Sequence, residues 1–143
     1  MTAHPIRLGV LDDDQEDVIL LRRNLSKIPG FEFHLKELEL DDGGRCSSSW
    51  QWHDVDILFL DYLLGCCTGL DVLESIRGCG DPMPIILLTG QKDEKIAAAL
   101  IQAGADEYVD KLDATPEVLQ RCIRRAMSRI EQFQTCEPAI QGG

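Results

Sequence analysis

The stretch "VDILFLD" at 55–61 constrains the fold more than any other part of this chain. It is almost continuously apolar, too short for a helix, and closed by an acid. Continuous rather than alternating apolarity means that both faces of a strand are covered, the condition of a parallel sheet with helices on either side. Two more runs of the same kind occur, "IRLGVL" at 6–11 and "PIILLT" at 84–89.

Helical patterns fill the intervals between these runs, so the chain alternates as an α/β fold does. Residues 16–28 read as a helix stopped by Pro29 and Gly30, and Phe31 to Leu40 alternates enough to be a second strand. Residues 41–54 are poor in helix formers, so a helix there is expected to be short or irregular. A loop ending at Gly69 feeds a helix to about Arg77, stopped by Gly78 and Gly80. A helix near 92–103 and a short strand near 107–110 follow. Thr115 as cap and Pro116 at the first position start the last helix. The expectation is a doubly wound, five-stranded parallel sheet of flavodoxin-like (βα)5 type, a three-layer sandwich with about five helices.

With 143 residues the chain suits one domain. Its 14 Lys+Arg against 25 Asp+Glu give a net charge of -11, which disfavours non-specific binding to nucleic acid or anionic lipid. The six cysteines show neither C-x-x-C spacing nor a matching histidine pair, so zinc is not expected, and free thiols are; the vicinal pair Cys66 and Cys67 has no evident role. No apolar signal segment and no stretch near the roughly 20 residues of a membrane span occur, so a soluble, cytoplasmic protein is expected.

In open α/β sheets the functional crevice lies outside the carboxyl ends of the strands. The first strand delivers Asp12, Asp13 and Asp14 to that edge, the third Asp61, the fourth Thr89 and the fifth Lys111. Converging carboxylates repel unless a hard cation joins them, and an all-oxygen set suits Mg²⁺. A lysine and a hydroxyl facing them would take the oxygens of an anion, which describes phosphoryl transfer onto a carboxylate.

Four pieces now stand in order: "VLDDD", "ILFLDYLLGCCTGLDVL" with a glycine eight residues after its acid, "IILLTG" and "AGADEYVDK". Together they resemble the receiver domain of two-component response regulators, over residues 6 to about 131, with 132–143 as a tail or the start of a linker. The resemblance implies that Asp61 is the phosphoacceptor and that Asp12, Asp13, Asp61 and the backbone carbonyl of Leu63 hold Mg²⁺. It implies that Thr89 and Lys111 bind phosphoryl oxygens, and that Thr89 and Tyr108 form the switch. Asp14 is left to cap the following helix. The implied donor is a histidine kinase or histidine phosphotransfer protein, and the implied role is a switch that catalyses only its own phosphorylation and dephosphorylation.

Gly65 and Leu112 stand where the family often has proline, so a looser loop after Asp61 and a trans Lys111–Leu112 bond are expected. Leu63 and Gln91 occupy positions that tune hydrolysis in the family, and an apolar Leu63 implies slow loss of phosphate. Leu119, Ile123, Ala126, Ile130 and Phe133 form a heptad-like seam in the last helix, which points to a downstream output domain or a homodimer. Two rivals remain: a haloacid-dehalogenase-like phosphatase using Asp12 and Asp14, and a degenerate receiver that only docks partners.

Overall fold

The computed structural model describes residues 5–39, 55–65, 67–90 and 93–141. Five strands, β1 (Pro5–Leu11), β2 (Glu32–Glu37), β3 (Ile57–Leu60), β4 (Ile85–Thr89) and β5 (Glu107–Asp110), form one parallel sheet in the order β2-β1-β3-β4-β5. Among the described residues, four α-helices connect and cover them: α1 (Gln15–Ser26), α2 (Gly69–Gly78), α3 (Glu94–Gln102) and α4 (Pro116–Gln141). A 3₁₀ turn at Lys111–Asp113 joins β5 to α4. The helix considered at 41–54 lies outside the described residues. So does the beginning of the one expected near 92–103.

The apolar runs work as expected because alternate residues serve opposite faces. In β3, Ile57 and Phe59 enter the layer beneath α1 and α4, while Leu58 and Leu60 enter the layer beneath α2 and α3; all four are fully buried. β4 divides likewise, Ile86 and Leu88 to one side and Ile85 and Leu87 to the other. Burying a residue of this size contributes about 1.5–3 kcal/mol, so a four-residue strand is held by its packing. The second strand is shorter than 31–40 because β2 is an edge strand with mostly exposed residues. Edge exposure removes the apolar signal that marks a boundary.

Capping residues set where helices begin at the carboxyl edge. The Asp14 carboxylate accepts from the Glu16 N–H at 2.9 Å and caps α1, as expected. Thr68 and Asp71 form a reciprocal capping box at α2, and Asp93 caps α3. The Thr115 hydroxyl accepts from Val118 N at 3.3 Å ahead of Pro116. Leu119, Ile123 and Ala126 are buried under the sheet, Ile130 is partly so, and the helix backbone continues to Gln141. Among the described residues no helix is long and apolar enough to cross a membrane.

Candidate functional site

The parallel sheet gathers residues separated by up to 99 positions at its carboxyl edge, from Asp12 after β1 to Lys111 after β5. Asp12, Asp13 and Asp61 each offer an oxygen, and these oxygens lie within 4.8 Å of one another. Lys111 Nζ stands 2.9 Å from Asp12 Oδ2 and 3.3 Å from Asp61 Oδ2. Asp61 is 7% exposed and Thr89, the last residue of β4, 1%. Asp13 is exposed, so the cluster opens to solvent on one side.

Backbone detail explains how Asp61 is presented. Its side chain accepts from Tyr62 N at 2.8 Å, and Gly69 N donates to Tyr62 O at 2.6 Å, which draws the start of α2 against the strand end. A Cβ on residue 69 would stand 2.5 Å from the Asp61 carbonyl oxygen, so glycine is required eight residues after the acid. The intervening loop is pinned rather than loose: Leu63 bridges Thr68, and Leu64 N donates to Cys67 O at 3.1 Å. Gly65 makes the reversal with φ +83°, a value closed to proline. Leu63, 51% exposed, sits on the rim of this loop. Cys66 and Gln91 lie outside the described residues.

The charges are unbalanced. Burial is the main influence on Asp12 and raises its pKa to about 6, against the hydrogen bond from Asp14 N and the Lys111 ammonium, which favour the carboxylate. Burial alone would lower the Lys111 pKa, but hydrogen bonds to Asp17 and Asp12 and the nearby Asp61 outweigh it and raise it, so the lysine is charged. An all-oxygen, acid-rich, partly dehydrated cluster fits a hard divalent cation, and among the described residues the grouped ligands are all carboxylates. Tyr108 packs partly buried on the α2–α3 side of the sheet, and burial, with Asp110 and Asp93 nearby, raises its pKa, so the phenol is neutral. The Lys111–Leu112 bond is trans, as expected.

One residue escaped the sequence reading. Asp17 of α1 is in contact with Lys111, Oδ2 to Nζ 2.5 Å, the shortest of the lysine's three carboxylate contacts. The signal available was weak: Asp17 follows Asp13 by four residues, one helical turn. An acid in the first turn of a helix is ordinarily explained by the helix dipole alone.

The response regulator receiver domain family matches residues 8–124 of the chain. Response regulator MprA of Mycolicibacterium vanbaalenii is 35% identical over 118 residues, which are 82% of this chain and 48% of that protein. MprA of Mycobacterium ulcerans is 34% identical over 134 residues, 94% of this chain and 55% of that protein. The chain thus spans about half the length of these relatives. Among solved structures, a CheY-like response regulator receiver domain protein from Methanospirillum hungatei aligns with TM-score 0.68 at 19% identity, covering 91% of this chain and 99% of that one. The Thermotoga maritima response regulator DrrB aligns with TM-score 0.67 at 22% identity, covering 88% of this chain and 54% of that one. At such identities these two show the shared fold, a five-stranded α/β sandwich. With the motifs in order and the family matched over most of its length, the chain belongs to the response regulator receiver domains, the signalling switches of two-component systems.

Proposed function

We propose that the chain accepts a phosphoryl group on Asp61 from a histidine kinase or histidine phosphotransfer protein, in a reaction that requires Mg²⁺. The observation that carries this is the convergence of Asp12, Asp13, Asp61 and Lys111, from three strand ends, on one small, partly buried volume. A carboxylate oxygen of Asp61 forms the new P–O bond as the P–N bond of a phosphohistidine breaks, and the imidazole takes up a proton. Asp12, Asp13, Asp61 and the Leu63 carbonyl would hold Mg²⁺, whose charge eases the approach of one anion to another. The Lys111 ammonium and the Thr89 hydroxyl bind the phosphoryl oxygens, replacing water at a site already dehydrated around Asp61.

The added charge then draws Thr89 and repositions Tyr108, three residues before the lysine, which changes the surface beside β5. Output passes to a downstream domain or a second copy of the chain, with residues 1–131 as the receiver. Relatives of which the matched region is only 48% support an output domain in the full-length protein. The phosphatase reading loses support because Asp14, its required acid, is engaged as the cap of α1.

Incubation with acetyl phosphate and Mg²⁺ should add one phosphoryl group by intact mass, lost with chelator and absent in Asp61→Asn. An adduct that survives the substitution overturns the assignment of Asp61. Steady hydrolysis of small phosphate esters would revive the phosphatase.

A further inference from the structure

We propose that Asp17 is a positioning residue that holds Lys111 so that a divalent cation can take Asp12 and Asp61. This rests on the receiver reading above. The Lys111 ammonium has three N–H donors and three carboxylate neighbours: Asp17 at 2.5 Å, Asp12 at 2.9 Å and Asp61 at 3.3 Å. Two of these, Asp12 and Asp61, also belong to the three-carboxylate cluster that fits a metal. Lysine and cation therefore compete for the same oxygens, and two positive charges sharing a carboxylate in a partly dehydrated site repel.

Asp17 is the neighbour that the metal does not need. It approaches from α1, on the helix rather than the strand end, and its side chain is 32% exposed where Asp12 and Asp61 are 6% and 8%. A lysine anchored there keeps its charge beside Asp61, where an incoming phosphoryl group requires it, while yielding Asp12. Without Asp17, the ammonium has only Asp12 and Asp61 to lean on, and a cation must displace it.

The effect runs through Lys111, and that separates it from simple loss of one negative charge. In calorimetric titrations of the full chain with Mg²⁺, Asp17→Asn should raise the Kd about fivefold in the wild-type background and change it less than about twofold in Lys111→Met, a coupling of the size seen between contacting residues. Asp17→Glu should return the Kd toward wild type, and this arm stands even if Lys111→Met does not fold. Glu16→Gln, which removes a neighbouring charge, should leave the Kd unchanged.

Equal effects of Asp17→Asn in both backgrounds, or an equal effect of Glu16→Gln, overturn the positioning role while leaving the receiver reading intact. A wild-type chain that takes up no Mg²⁺ at millimolar concentration overturns both.

Discussion

The two rims of the sheet both carry charged clusters, and they are built on opposite terms. At the amino rim, Asp106 lies between two arginines. Arg77 Nη2 reaches it at 3.3 Å, and Arg129 Nε at 2.9 Å in an ion pair without hydrogen-bond alignment. The cluster is closed by backbone: Arg77 also donates to Gly104 O at 3.1 and 2.9 Å and to Asp81 O at 2.8 Å. Arg129 donates to Pro82 O, and Asp106 accepts from Ile85 N at 2.8 Å. These contacts tie the end of α2, the starts of β4 and β5, and α4 into one staple. At the carboxyl rim, four aspartates face one lysine.

The difference teaches where function sits. A cluster whose arginines are engaged by one carboxylate and by backbone carbonyls has little left to offer a ligand, and its removal costs stability. A cluster with carboxylates in excess stores repulsion that a bound cation would relieve.

The contrast is open to test at several points. The largest effect expected is at the staple: Asp106→Ala leaves two arginines without their acid and Ile85 N without an acceptor. It should lower unfolding free energy in urea by about 2–3 kcal/mol, less than a fully buried pair because Arg129 is 39% exposed. Mg²⁺ affinity should stay unchanged; a matching loss of Mg²⁺ binding would show that the rims are not independent. Next comes Gly69→Ala, which sets a methyl group against the Asp61 carbonyl. It should cost about 1–3 kcal/mol of stability and also slow phosphorylation, since the strand end carrying Asp61 must shift.

A smaller effect separates the rims by pH. The Asp12 pKa is raised to about 6 in the folded chain from an ordinary value near 3.8, so the folded state binds the proton more tightly than the unfolded one. Stability of the metal-free chain from this group is then fully present below about pH 4 and is lost as pH rises to about 6. Mg²⁺ affinity should rise over the same window as the proton leaves. Asp12→Asn should remove both trends, read by urea unfolding with and without Mg²⁺, and Asp106→Asn neither.

The smallest effect concerns the rim of the site. Leu63 is exposed beside Asp61 and offers no group to orient an attacking water, so Leu63→Asn should shorten the phosphorylated lifetime a few-fold without altering stability. A wild type that loses phosphate faster than the variant would reverse the reading.

Legibility followed burial. β3 and β4 could be read within two residues of their ends because both faces of each are covered, and continuous apolarity has no other explanation at that length. β2 is shorter than its sequence pattern suggests because it ends the described sheet and most of its residues are exposed. Asp14 could be assigned to a cap because capping is local: its partner is two residues away. Gly65 suggests a loose loop, and the structure shows a pinned one. Glycine permits the positive φ, but the bridge between Leu63 and Thr68 that pins the loop is not announced by the residue type.

By itself, then, the chain determines the alternation of strands and helices, the helix starts, and the arrival of Asp12, Asp13, Asp61, Thr89 and Lys111 at one edge, since parallel strands all deliver their carboxyl ends to the same side. Tertiary structure alone decides how those groups share charge. That Lys111 leans on Asp17 across 94 positions, that burial makes Asp12 a weaker acid than usual, and that Arg77 and Arg129 meet at Asp106 depend on distances of a few ångströms between distant segments. Local pattern carries periodicity and capping because their partners are near in sequence, whereas electrostatic energy depends on separation and burial, which exist only once the sheet has brought its edges together.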